Sequence, residues 1–412
     1  MEVGMENIGT YVIYFIMVCA VAGAIASLID SESGLGKEFI SGLHSIGPIF
    51  VPVAGIMASI PYLSKFISST VGPMHAALGV DPAIAATTII ATDMGGYQLA
   101  KALASSPDGW VMATIVGFMA GATIIFSIPV GLTMLKKADH KYMALGVMAG
   151  VLSIPIGVIL SSLMLVVFAV PIRPDVAATG AATEFLSLSM ATIVRNVLPL
   201  AAFCGVLAVG LRFFPERMIS LFLLFGRFMH IAITLVLVAS IVEYFTSFFT
   251  YILGGWGFAP IIADADDQFR ALEIAGYIGI MLSGAFPMVY LISKYLAGPM
   301  EVIGSKVGLS KSGATGLLAA SANILAMFRL IGDMPPKGKV LVIAFSVCAA
   351  FSFGDHLAFS ANFQPSLILP LLIGKFGGGL AGFGLAYWLS VPSALKLEHQ
   401  QEPASGLLPA TT

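Results

Sequence analysis

The sequence predicts an all-α polytopic membrane protein of about 11 transmembrane helices, within a range of about 10–12. Hydrophobic residues make up 58% of the 412 and charged residues only 10%. Mean hydropathy is +0.97, far above that of a soluble globular domain. The apolar residues fall into runs of about 20, the length of helix needed to cross the hydrocarbon layer, separated by short polar breaks.

Taken in order, the runs cover about 10–29, 46–66, 83–104, 110–135, 142–170, 190–212, 219–249, 271–295, 313–331, 340–363 and 366–391. The first is preceded by Glu2 and Glu6 and by no Lys or Arg, the wrong sign for a cleaved signal peptide, so it is expected to stay as a span. The chain after Pro392 is polar and is expected to be a disordered tail, 392–412. Cys19, Cys204 and Cys348 lie in apolar runs without metal or disulfide spacing and read as core residues. The net charge of −2, without a basic block, excludes a nucleic-acid partner. The lipid bilayer is the partner that composition demands. Nothing in the sequence fixes whether the chain forms a homo-oligomer.

Loop charges give an orientation. Lys136, Lys137 and Lys141 cluster in one loop and Arg212, Arg217 and Arg227 surround another, which the positive-inside rule assigns to the cytoplasm. Asp264, Asp266 and Asp267 fall on the opposite side. Eleven full spans then put the N-terminus inside and the C-terminus outside. That count leaves Lys337 and Lys339 on the wrong side, a conflict that one re-entrant segment would remove.

An internal repeat is legible. Pro61 and Gly72-Pro-Met74 recur 226 residues later as Pro287 and Gly298-Pro-Met300. Beyond them, Gly79-Val-Asp-Pro leads to Thr92-Asp-Met, and Gly308-Leu-Ser-Lys leads to Ser321-Ala-Asn, which sets Asp93 opposite Ala322 or Asn323. The expectation is a single transmembrane transporter domain, 1–412, with repeat halves at about 10–170 and 219–391 joined by the 190–212 span. Helices broken or re-entrant near the midplane are the usual consequence of such duplication. Full spans would make the halves parallel and a re-entrant segment would make them inverted.

Familiar motifs contribute little. Gly377-Gly-Gly-Leu-Ala-Gly382 fits a dinucleotide string but lies within an apolar run, without the strand or acidic residue that the mechanism needs. Close helix packing is the better reading, as for Gly374/Gly378, Gly378/Gly382, Gly117/Gly121 and Gly146/Gly150. The sequence has no Walker A motif and no His-Glu-x-x-His, and no cofactor or metal site is expected.

The informative residues are ionisable groups inside apolar runs, which are costly in hydrocarbon and mark function. Asp93 sits in Ala91-Thr-Asp-Met-Gly-Gly-Tyr-Gln-Leu-Ala-Lys101, and Asp355 in Phe353-Gly-Asp-His-Leu-Ala-Phe-Ser360. On one continuous helix Phe351, Asp355, Phe359 and Asn362 would share a face. A carboxylate between rings, with an amide nearby, suits a small cation that carries a hydroxyl. His356 reads as a proton relay or an interhelical hydrogen bond. Asp93, Tyr97 and Lys101 would form a second stripe beside Gly95-Gly96, where Asp93 and Tyr97 contact substrate or gate it and Lys101 gates, or where an Asp–Lys pair only holds the bundle. Asn323, Gln98 and Asn196 are weaker candidates, because amides inside bundles usually serve packing; of these Asn323 is counted with the substrate contacts. Glu243 lies near the end of its run and reads as an interfacial residue.

Several phrases together resemble one family: Asp93-Met-Gly-Gly-x-x-Leu-Ala-Lys101, Phe126-Ser-Ile-Pro-Val130, Tyr142-x-Ala-Leu-Gly-Val-x-Ala-Gly150, Ser153-Ile-Pro-Ile-Gly157, Phe286-Pro-Met288 and Gly354-Asp-His-Leu357. The chain resembles the bacterial ethanolamine permeases over nearly its whole length. That resemblance implies a multi-pass protein of the bacterial inner membrane that brings ethanolamine into the cell for catabolism, and no enzymatic activity. It leaves facilitated diffusion, proton or sodium coupling, and another small amine or amino alcohol as open readings. A remote alternative is an intramembrane enzyme acting on ethanolamine lipids.

Overall fold

A computed structural model describes residues 5–399. Among them the only extended pairing is an isolated antiparallel bridge between Ile172 and Glu184, and nearly everything else is helical. Eight helices are long and apolar enough to cross a membrane: Ile8–Ile29, Gly34–Ala58, Pro107–Met134, Lys137–Val167, Met190–Phe213, Pro215–Thr246, Ala271–Lys306 and Pro365–Leu389. Several begin at sequence punctuation. Ser106 and Ser189 accept from the backbone N–H of Gly109 and Thr192, and Pro107 occupies the first turn where its missing N–H costs nothing.

The remaining apolar runs are interrupted. Ala83–Ile89 and Gly96–Leu103 are joined through a 3₁₀ turn at Thr92–Met94. At 1.5 Å per residue each arm is only about 10–12 Å long, less than half the hydrocarbon thickness. The arms also begin and end together, because the Asp81 carboxylate accepts from the Ser105 backbone N–H at 2.8 Å. This segment is a re-entrant hairpin. Lys311–Ala322 and Ile324–Ile331 form another, turned at Asn323, whose side chain accepts from Leu325 N at 2.9 Å. Its ends meet through Ser312 Oγ donating to Asp333 O at 3.2 Å.

The hairpins enter from opposite faces. The first opens beside Asp108, which accepts from Ser187 in the 168–189 connection. The second opens beside Lys339, which is ion-paired with Asp139 in the lysine-rich loop. A third interrupted segment follows: Pro336–Ala349, then an unwound stretch, then Asp355–Phe363. Bare backbone at membrane depth must find partners inside the protein. Here the two breaks supply each other, with Phe353 N donating to Ser321 O at 2.8 Å and Phe351 N to Ala320 O at 3.2 Å.

The spacing of these elements repeats. A shift of 229 residues carries Pro107 onto Pro336 and Met134 onto Phe363. Midway, the first member widens into a π-helix at Gly117–Ser127, where the second unwinds. Both deviations from α-helix fall at the same depth. The glycine spacing works as expected at the 154–167 and 368–389 seam, where a Cβ on Gly378 would lie 3.0 Å from Gly157 Cα.

The structure corrects four expectations. The eleven apolar runs are present as helical segments, but 83–104 and 313–331 turn back at mid-depth. Lys337 and Lys339 share a face with Lys136, Lys137 and Lys141, as the Lys339–Asp139 pair requires. Residues Val391–His399 are helical rather than disordered, held by Arg212 donating to Ser393 Oγ at 3.1 Å; the expected tail beyond them lies outside the described residues. Neither predicted stripe is one helix face. Asp355 opens its helix while Phe351 sits in the preceding break at φ 62°, and Gly95 at φ 90° separates Asp93 from the helix bearing Tyr97 and Lys101.

Candidate substrate-binding site

A cavity of about 190 Å³ lies where the three interruptions meet. Asp93, from the first hairpin's turn, lines it together with Asn323 from the second hairpin's turn and Phe351, Asp355 and His356 from the third break. Chain interruptions at mid-depth explain why these side chains converge: each break turns a polar residue away from lipid and towards the centre. Asp355 occupies the first turn of its helix, where unpaired N–H groups and the helix dipole favour a carboxylate. Gly95 can hold φ 90° because it lacks a Cβ, and one added there would lie 2.9 Å from Ile56 Cγ2.

Two groups in this cluster are unsatisfied. Asp93 Oδ1 and His356 Nδ1 are buried and have no hydrogen-bond partner among the described residues. His356 Nε2 stands 3.8 Å from Asp93 Oδ1, too far for a hydrogen bond. The imidazole is held between the rings of Phe118 and Phe351, at 4.9 and 5.1 Å between centroids. Phe126 packs edge-on against Phe351 at 5.8 Å and lines the cavity too. Polar atoms this deep, left unpartnered, are expensive unless something polar visits them.

The walls obey the same shift as the helices. Adding 229 carries Met94 onto Asn323, Ala122 onto Phe351 and Phe126 onto Asp355, and the earlier shift of 226 carries Pro52 onto Ile278; all eight residues line this one cavity. The two sides therefore match in position and differ in chemistry. One side offers Phe126 where the other offers Asp355.

Four predicted residues do not line the cavity. Tyr97 and Phe359 pack against each other at 5.3 Å, with Trp110 and Phe363 alongside, in a layer between the cavity and the 168–189 connection. Gln364 Nε2 donates to the Tyr97 hydroxyl at 2.9 Å. Asn362 donates to Tyr277 O at 2.9 Å, and its own carbonyl accepts from Arg173, which also donates to Phe363 O. Lys101 donates to Pro174 O at 2.7 Å and rests over the Trp110 ring. These residues close one face. Arg173 and Gln364 were not foreseen, because the connection that carries Arg173 has no periodicity to read.

Asn196 and Glu243 serve local structure. Asn196 Oδ1 accepts from Asp81 N at 3.0 Å, and Glu243 accepts from Phe249 N and Thr250 N at the end of its helix. Gln98 is buried with both amide atoms unpartnered. Lys375 also escaped the sequence reading, although a lysine inside an apolar run carries the same signal as Asp93. It is 1% exposed and donates to Phe118 O at 2.9 Å, which ties it to the ring beneath His356.

A family model described as "Ethanolamine utilisation protein, EutH" matches residues 8–389. The chain belongs to the EutH family. It is 36% identical over 385 residues to a probable ethanolamine permease EutH of Listeria monocytogenes, covering 93% of this chain and 95% of that protein. To the Escherichia coli protein of the same name it is 34% identical over 407 residues, covering 94% and 96%. It is also 30% identical over 386 residues to the uncharacterized protein YxeR of Bacillus subtilis, covering 93% and 96%. No solved structure matches. The EutH match takes in both hairpins, the third break and every residue named in the cavity.

Proposed function

We propose that this chain carries ethanolamine, as the ethanolammonium cation, across the bacterial cytoplasmic membrane. The observation that carries the reading is the convergence of two carboxylates, Asp93 and Asp355, on a small aromatic cavity at the tips of interrupted helices. Asp355 neutralises the ammonium, Phe351 and Phe126 offer ring faces worth about 0.5–2 kcal/mol to a cation, and Asn323 answers the hydroxyl. Relatives named as probable ethanolamine permeases supply the cation's identity.

The same reading gives the topology. The eight long helices plus the interrupted 336–363 segment make nine crossings, with two re-entrant hairpins between them. The halves are then inverted, because Gly34–Ala58 ends on the face where Ala271–Lys306 begins. The face with Lys136, Lys137, Lys141, Arg212, Lys337 and Lys339 is cytoplasmic by the positive-inside rule. The N-terminal helix starts on the other face, since Gly9 lies against Pro365. This orientation, N-terminus outside and C-terminus inside, reverses the one that eleven spans would give. The Arg173 layer then closes the outer face, and inverted halves allow the seal to alternate between faces.

Two energy sources are compatible with such a site. Entry of a cation driven by membrane potential gains about 2.3 kcal/mol per charge per 100 mV. The unpartnered Asp93 Oδ1 and His356 Nδ1 favour a coupled proton as the second reading. Uptake of labelled ethanolamine into proteoliposomes under separately imposed proton, sodium and voltage gradients discriminates them. Uptake that follows voltage alone refutes coupling, and absence of ethanolamine uptake under every gradient refutes the substrate.

A further inference from the structure

A second cleft, of about 280 Å³, shares Phe286 and Asn323 with the central cavity and extends from there along the Gly34–His44 helix. Its wall holds Glu38, Tyr290 and Ser293. Glu38 is half-buried, yet among the described residues its carboxylate makes no hydrogen bond or ion pair. Beside it stand the rings of Tyr290 and Phe286, the hydroxyls of Tyr290 and Ser293 and, at the common wall, the Asn323 amide. This set repeats the chemistry of the central cavity: an anion for an ammonium, a ring face and polar groups for a hydroxyl. The cleft also lies towards the lysine-rich face, because Ala271–Lys306 reaches Tyr290 and Ser293 only in its later half and ends near Lys311 and Lys337.

We propose that Glu38 forms a vestibular binding site for a small hydroxylated primary ammonium ion, where the cation pauses between the central cavity and the lysine-rich face. The vestibule rests on the transport reading above and deepens it. A carboxylate there offsets the positive loops around it, which would otherwise repel a cation on its way to or from Asn323. Only one face benefits. The opposite face is closed by the Arg173 layer.

The test uses the full chain in oriented vesicles, with labelled ethanolamine presented in turn from each face. Glu38→Gln should raise the half-saturating concentration about three- to tenfold from the lysine-rich face and leave it unchanged from the other, the scale of one partly screened charge contact. Ala326→Lys, which sets an ammonium into the cleft wall, should give the same one-sided loss, and it decides the matter if Glu38→Gln fails to insert. Glu38→Asp should restore most of the affinity. Half-saturation unchanged from both faces, or shifted equally from both, overturns the vestibule. Wild-type vesicles that move no ethanolamine would instead overturn the transport reading beneath it.

Discussion

Asp355→Asn isolates the charge of the central site. The amide keeps the shape of the carboxylate, so the cavity of about 190 Å³ and the Phe351 and His356 packing should survive. Because a buried charge is removed, membrane insertion should be eased rather than impaired. A monovalent ammonium about 4 Å from the carboxylate gains about 4 kcal/mol at an effective dielectric of 20. Part of this is offset by the water the cation gives up on entering an apolar chamber. The remaining loss should weaken apparent affinity about 30- to 1000-fold, each tenfold being 1.4 kcal/mol. The assay is concentration-dependent uptake of labelled ethanolamine into proteoliposomes at fixed membrane potential, normalised to inserted protein. Near-wild-type half-saturation in a normally inserted Asp355→Asn protein would refute the reasoning, since it would leave the cation's countercharge to Asp93 and not to Asp355.

Three further outcomes are expected. Gly95→Ala forces a Cβ into a backbone at φ 90° and towards Ile56, and should cost about 1–3 kcal/mol, read as a lower unfolding temperature together with reduced uptake. Arg173→Ala removes charge-assisted bonds to the carbonyls of Asn362, Phe363 and Ala178; labelling of a Phe359→Cys thiol from that face should quicken about tenfold or more, and unchanged labelling would deny the layer its sealing role. Cysteines placed by Lys137→Cys and Asp266→Cys should react with impermeant reagents from opposite faces in intact cells, Asp266→Cys from outside; the reverse pattern would invert the proposed orientation.

Much of the architecture was legible because hydrophobic run length is a local property. All eleven apolar runs are real helical segments, and the positions of both intramembrane aspartates marked the region of the cavity. Which runs cross was not legible. Residues 83–104 and 313–331 are apolar enough to pass as spans, and only the closures from Asp81 to Ser105 and from Ser312 to Asp333 reveal that each returns to its starting face. The same blindness produced the helical stripes: a regular helix was assumed through Phe351 and through Gly95, where the backbone takes positive φ. With the helix broken, Phe359, Asn362, Tyr97 and Lys101 turn towards the sealing layer, and Asn323, weakly marked in sequence, comes to face the cavity.

The sequence by itself determined the solvent in which this chain folds, its family, its internal repetition and the presence of two carboxylates that hydrocarbon would not tolerate without purpose. These follow from composition and order alone, since an aspartate inside an apolar run is conspicuous before its neighbours in space are known. Tertiary structure decided how the carboxylates are used. The second hairpin's tip and the third break satisfy each other's backbone at mid-depth, and the first hairpin's tip packs against the helix that follows that break, which brings Asp93, Asn323, Phe351, Asp355 and His356 to one chamber from positions more than 200 residues apart. No local pattern encodes such a meeting, because hydrogen bonds between unwound segments depend on where the chain returns in space.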